Sequence, residues 1–392
     1  MEGRLWSLSA HTAWASVTTF LSGLARSLNA FVAMRVLTGL GEGAYYSNDR
    51  ALVSAVTPES KKGFGMGVVF VGLAMGLTLA TVATPYVIDF AARTWGDESA
   101  WSFPFIVFSI PTMLVALGVW KFVRRPKEDR REYMPALARL SVYSIVFLAA
   151  VMATYLVTVT AGLDSLSQAI VVVAIAIALI AIIYRSLGQR SAKVLKDRDL
   201  LLMYISAIPI LYTLWFFGFW ALLLISEASN IGISGAALYV GFFGVANGIG
   251  YPLGGKICDR VANRGFGRKK AYVLMCILDS LAVAVLAVYV GTGGSDLIIL
   301  GILVFCIGVP FAAMQTVHMT LTSDLAPKEQ VAQTFGMWNL IGEIGAVISP
   351  VLSGTLRDLT GSWTLAITLD AILLVVSAVL VLSIKRQSRC SL

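Results

Sequence analysis

Apolar runs of about 20 residues alternate with short polar segments along the whole chain, and each run is long enough to cross hydrocarbon as a helix. Twelve spans are predicted, over roughly 5–22, 28–50, 63–90, 101–122, 138–160, 166–185, 200–225, 235–257, 270–291, 296–318, 331–355 and 363–384. Helix is the expected form, because backbone groups in lipid must be satisfied within the spanning structure. The alternating ten-residue segments of a membrane β-barrel are absent. The expected fold class is an all-α polytopic membrane protein.

The polar positions that interrupt these runs are few. In the second run Arg35, Glu42 and Asp49 recur at seven-residue steps among Ala, Val, Leu, Gly and Tyr. Seven residues are two helical turns, so the three charges share one face. Charges at bilayer depth are costly and face a partner or a water-filled path, so the stripe predicts a polar solute crossing beside this helix. Arg35 and Glu42 stand about 10.5 Å apart along the axis, beyond direct contact without side-chain reach or water. Asp279 and Asp370, in the ninth and twelfth runs, are expected to face away from lipid, with no assigned role.

Composition agrees with a membrane protein: 58% hydrophobic, 13% charged and mean hydropathy +0.82 over 392 residues, against about 25% charged in soluble domains. The net charge of +8 raises a nucleic-acid reading, and its placement removes it. All but five of the 30 Lys and Arg residues fall on alternate inter-span segments of one side. That bias marks the cytoplasmic face, so both termini are expected in the cytoplasm of a plasma-membrane protein. No cleavable signal peptide is evident. Cys258, Cys276, Cys306 and Cys390 have no metal or redox spacing. His11 and His318 make no cluster with carboxylates, and His318 is expected near a membrane interface. Gly250 to Lys256 mimics a phosphate loop, but Ile257 replaces the required Ser or Thr and the segment ends an apolar span. No cofactor, metal or enzymatic activity is expected.

The chain repeats itself. The second run ends near Thr57-Pro58-Glu59 before a run opening at Gly65-Met66; the tenth ends near Ala326-Pro327-Lys328-Glu329 before one opening at Gly336-Met337. Each following run has paired small residues, Gly72 and Gly76 or Gly342 and Gly345, a spacing that permits close helix approach in lipid. Duplicated halves are common in secondary transporters. Spans one to four then match nine to twelve, and spans five and six are surplus. The expected division is a truncated N-terminal half of four helices, 1–122, basic loops and an inserted helix pair, 123–199, and a six-helix C-terminal half, 200–392.

After the eighth run stand Gly254-Gly255-Lys256-Ile257-Cys258-Asp259-Arg260 and then Gly267-Arg268-Lys269-Lys270. This resembles the G-x-x-x-D-R-x-G-R-K/R loop of the major facilitator superfamily, with five extra residues before the trailing basic group. An acid here can cap a neighbouring helix start, and basic residues anchor at headgroups. The resemblance implies that Gly255, Asp259, Arg260 and Arg268 control switching between inward-open and outward-open states. Gly3-Arg4 before the first run matches Gly267-Arg268 before the ninth. The family's first two helices are therefore expected to be missing, with Met1 a misassigned start.

Arg35 to Gly43 is similar to the R-x-x-x-G-x-x-E pattern of the anion:cation symporter branch, which includes sialic acid, hexuronate and galactonate carriers. Asn339 to Gly345, ahead of Pro350, is similar to that branch's N-x-x-G-N-x-G segment, with Glu343 where Asn is common. The resemblance implies a symporter of a small organic anion, a sugar acid or other carboxylate, with protons. It places Arg35, Tyr46, Tyr212, Trp215, Asn247, Gln315 and Asn339 at the substrate and Glu42 and Glu343 at the proton, with the two halves rocking about a midplane site. Two rivals stand beside it. A proton-coupled drug exporter shares a central insert, but the third span shows Thr84-Pro85-Tyr86 where a Gly-Pro-x-x-Gly-Gly ending is typical. A degenerate carrier that does not transport would fit the missing helices. Substrate identity, transport direction and oligomeric state are not legible.

Overall fold

The computed structural model describes residues 3–122, 130–186, 194–265 and 267–386. Met1, Cys390 and the centres of the basic loops at 123–129 and 187–193 lie outside the described residues. The described chain is helical, with twelve long helices: α1 Gly3–Gly23, α2 Leu28–Val56, α3 Lys62–Trp95, α4 Phe103–Phe122, α5 Arg130–Thr160, α6 Ser165–Ser186, α7 Arg198–Ser229, α8 Ile233–Asn263, α9 Arg268–Gly291, α10 Leu297–Leu325, α11 Val331–Thr360 and α12 Thr364–Leu382. Every predicted span coincides with one of them. Several helices run past the predicted ends: α7 to Ser229 and α8 to Asn263, where polar residues continue the helix beyond the apolar run, and α2 to Val56, where an apolar stretch follows the charges at Asp49 and Arg50. Among the described residues, eight helical segments are long and apolar enough to cross a membrane, and shorter apolar stretches lie at Ile145–Thr160 and Ser165–Ile175.

Local chemistry sets several ends. Asp197 caps α7 by accepting from the backbone N–H groups of Asp199 and Leu200, and Asp296 caps α10 by accepting from Ile298 and Ile299. Each carboxylate satisfies donors that have no partner inside the helix. Asn230 ends α7 in the left-handed region at φ 53°, which Asn tolerates better than most residues.

The sequence repeat is present in the backbone. Pro58 and Pro327 each precede a single 3₁₀ turn, Glu59–Lys61 and Lys328–Gln330, that leads directly into the next helix. Proline cannot continue the preceding helix, so it resets the chain direction at the same point of both copies. Ser54 and Ser323 are equivalent in this register, and their hydroxyls hydrogen-bond to each other at 2.6 Å.

The chain forms two compact units. One comprises residues 1–52 and 86–164. Within it α1 packs along α4, where Ser16 Oγ donates to the Ser109 carbonyl at 2.8 Å. α2 is tied to α1 by Trp14 Nε1 donating to the Leu37 carbonyl at 2.9 Å and by Thr38 Oγ1 donating to Thr18 Oγ1 at 2.9 Å.

The other unit comprises residues 53–85 and 165–392. Its main helix pairs are α8 with α10, α7 with α11, and α9 with α12, while α6 lies against α11. Its interior is aromatic: Phe217 stacks on Phe243, which contacts Phe311, and Tyr204, Phe216, Phe335 and Trp338 are fully buried. The paired glycines behave unequally. A side chain at Gly345 would collide with the backbone of Ile208 on α7, whereas Gly72 and Gly76 face open space. The close approaches of α3 occur instead at Gly63 and Gly67, one or two turns earlier.

Candidate functional site

The loop predicted as a switch is built on the start of α3. Asp259, at the end of α8, accepts hydrogen bonds from the backbone N–H groups of Gly63 at 2.8 Å and Phe64 at 2.9 Å. These are first-turn donors without partners inside α3, at the positive end of the helix dipole. Gly255 faces Gly63 one turn earlier on α8. A side chain there would strike the Gly63 carbonyl, and one at Gly67 would strike the Tyr251 carbonyl. Glycine is what lets α3 and α8 meet closely enough for the cap.

Around this contact sits a buried charge network. Arg268 lies 3.6 Å from Asp259 Oδ1 and pairs with Asp324 at the end of α10. Lys62 lies 3.6 Å from Asp324 and donates to Glu59 Oε1 at 2.9 Å, and Arg268 Nη2 reaches the Glu59 carbonyl at 3.4 Å. Asp324, Lys62 and Glu59 were not among the predicted switch residues. The one available signal was an acid closing the tenth apolar run beside a basic loop, which needs a counter-charge once buried. Arg260, predicted with this group, is exposed and in no ion pair among the described residues.

The charge stripe on α2 is divided. Asp49 is buried and pairs with its neighbour Arg50, whose backbone N–H it also accepts at 2.6 Å. The Arg50 guanidinium lies 3.4 Å from the Tyr46 ring centroid. Arg35 and Glu42 are exposed, and among the described residues neither forms an ion pair or hydrogen bond. Arg35 stands 5.9 Å from the Phe105 ring.

The second unit holds the other predicted residues. Tyr251 OH donates to Gln315 Oε1 at 2.8 Å, and the Tyr251 ring stacks on Phe70 of α3 with centroids 4.9 Å apart. Gln315 and Asn247 are buried, yet among the described residues Gln315 Nε2 and Asn247 Oδ1 have no hydrogen-bond partner. Asn339 is half-buried, its Oδ1 likewise without a partner among the described residues. Trp215 and Glu343 are half-buried. Tyr212 is engaged in packing, 2% exposed, with its hydroxyl 2.7 Å from Ser353 Oγ. Trp220, another aromatic of α7, donates through Nε1 to the Pro350 carbonyl at 2.9 Å.

His318 is fully buried, and α10 continues beyond it to Leu325. Trp338 Nε1 donates to His318 Nδ1 at 2.9 Å, and Nε2 lies 2.8 Å from Ser206 Oγ. An indole N–H is donor only, so Nδ1 carries no hydrogen in this arrangement and the ring is a neutral packing element.

The sequence model of the Major Facilitator Superfamily matches residues 3–239 and 212–389. The chain is 23% identical over 368 residues to a D-galactonate transporter of Escherichia coli O6:H1, covering 92% of this chain and 75% of that one. It is 25% identical over 142 residues to the probable galactarate/D-glucarate transporter GarP of Escherichia coli K12, a match spanning 36% of this chain and 31% of GarP. The fold is similar to FucP in its outward conformation, at TM-score 0.60, 13% identity and coverage of 98% and 83%. It is also similar to the proton:xylose symporter XylE bound to 6-bromo-6-deoxy-D-glucose, at TM-score 0.64, 14% identity and coverage of 99% and 84%.

Proposed function

Because the chain belongs to the Major Facilitator Superfamily, and is therefore a multi-pass membrane transporter and not an enzyme, we propose that it moves a small organic anion together with protons by alternating access. The observation that carries this reading is the pair Arg35 and Glu42, opposite charges in the interior of one helix, both exposed and, among the described residues, in no ion pair. A charge at membrane depth is tolerated where it faces water or a polar solute. Arg35 offers a carboxylate the planar, bidentate donor that suits it. Glu42, two turns further along, is the group that takes up and releases the proton. The relative named as a D-galactonate transporter favours a sugar acid or another carboxylate of that size.

The remaining assignments follow the same reading. Trp215 and Tyr212 belong to the apolar wall of the site, and Asn247, Gln315, Asn339 and Tyr46 set the solute's orientation. The unpartnered buried atoms of Asn247 and Gln315 support this, since a buried polar atom without a partner is a cost that a ligand hydroxyl removes. Glu343 is a second acid for proton coupling. Asp259, Gly255 and Arg268 act as a latch that closes when Asp259 caps α3 and opens as the carrier changes state. The protein resides in the plasma membrane with both termini cytoplasmic.

The test is Glu42→Gln in proteoliposomes. The reading expects retained exchange of anion across the membrane and loss of accumulation driven by a proton gradient. Unaltered uphill uptake by E42Q rejects the assignment.

A further inference from the structure

The second unit holds two acids that neither the latch nor the proposed solute site uses. Asp279 on α9 and Asp370 on α12 are both fully buried. These helices pack antiparallel: Tyr272 OH hydrogen-bonds Ser377 Oγ, and Ser280 Oγ donates to the Ala371 carbonyl at 2.8 Å. That register sets positions 279 and 370 at one level, and the Asp370 charge bears on Asp279. α7 forms the third side. Its Ser206 carbonyl accepts from Ser377 Oγ at 2.7 Å, and its Thr213 Oγ1 lies 2.6 Å from Asp370 Oδ1.

Among the described residues, three of the four carboxylate oxygens, both of Asp279 and Oδ2 of Asp370, have no hydrogen-bond partner. Neither acid has an ion pair among the described residues. The contrast within the same unit is sharp. Asp259 has two backbone N–H groups and Arg268, Asp324 has Arg268 and Lys62, and Asp199 has the N–H groups of Lys385 and Arg386. The fourth oxygen is itself contested. Thr213 Oγ1 also lies 3.1 Å from the Pro209 carbonyl, and a hydroxyl has one hydrogen for two acceptors. When it goes to Pro209, Asp370 must supply the hydrogen between itself and Thr213.

Two neighbouring buried carboxylates that are both charged, with no cation beside them, repel each other at high cost, and a proton on one of them relieves it. Calcium takes about six to eight oxygens and magnesium keeps several waters, more than this fully enclosed pair and one hydroxyl provide. We propose that Asp279 and Asp370, with Thr213, form a proton-binding site in the C-terminal helices, separate from Glu42, that holds one exchangeable proton. Uptake places a hydrogen on one carboxylate oxygen and takes the pair from two negative charges to one. Release restores like-charge repulsion across the α9–α12 contact, so occupancy is linked to how these helices pack. The titratable groups facing the pair are Tyr272 and Cys276 on α9 and Tyr212 on α7, with His318 of α10 one step removed against Tyr272.

The test is infrared spectroscopy of the full chain in lipid nanodiscs, labelled with ¹³C-aspartate so that aspartic acid is separated from glutamic acid. The expected result is a C=O stretch of un-ionised aspartic acid that declines as pH rises, is lost or shifted in D279N and in D370N, and is unaffected by exchanging sodium for choline. The doubly neutral D279N/D370N, which removes all repulsion, supplies the comparison where a single variant does not assemble. The band is expected to persist in E42Q, so failure of the Glu42 reading leaves this site standing. Absence of the band from the unsubstituted chain, or a band identical in all variants, overturns the proposal. So does a sodium-dependent rise in thermal stability that D279N abolishes, which would make the occupant a metal ion.

Discussion

Single side chains in this protein divide by whether their polar atoms are matched. Tyr251 is fully buried and gives its hydroxyl hydrogen to Gln315. Tyr251→Phe leaves the Gln315 carbonyl buried and unpaired, at an expected cost of about 1–3 kcal/mol, read as a lower thermal midpoint in detergent. An unchanged midpoint would mean that water replaces the hydroxyl. The sequence identified Arg35 and Glu42 as exceptional because charge inside an apolar run has few explanations. It could not separate them from Asp49. All three share a face by period, and only the local geometry that folds Arg50 back onto Asp49 removes the third from the set. The partners of His318 were not legible for a related reason: they are Trp338 and Ser206, 20 and 112 residues away, and no local pattern encodes them.

At the scale of elements, the decisive contact is helix start against helix end. The cap of α3 by Asp259 combines two hydrogen bonds with the favourable placement of an anion at a helix N-terminus. Asp259→Ala is expected to weaken that junction by about 1–2 kcal/mol, and Gly255→Ala to break it by forcing the helices apart at Gly63. Both are read by the rate at which a thiol-specific reagent labels Cys introduced at Ser54, whose hydroxyl bridges to Ser323, in a cysteine-free background. Faster labelling in each variant is the expected outcome, and equal rates would show that the cap does not hold the junction closed. The loop motif made Asp259 and Gly255 legible because spacing alone identifies them. Asp324 and Lys62 escaped because each is an ordinary helix-end charge until α8, α9 and α10 meet. The glycine pairs show the converse. Spacing marked Gly72 and Gly76 as contact points, but α3 approaches its neighbour at Gly63 and Gly67, so small-residue spacing identified the right helix and the wrong turns.

For the whole molecule, length and hydropathy sufficed to locate the helices. Twelve apolar runs became twelve long helices, and the two Pro-marked turns fixed the repeat in the backbone. The solute could not be read in the same way, because the residues proposed to bind it are scattered over five helices in the sequence and no local pattern among them names a solute. The most direct measurement is uptake of radiolabelled D-galactonate by the purified chain in proteoliposomes, with a proton gradient imposed and then collapsed by a protonophore. The account predicts accumulation above the equilibrium level, lost on collapse of the gradient and competed by other sugar acids. Entry that ignores the gradient, or no entry of any sugar acid tested, would contradict it.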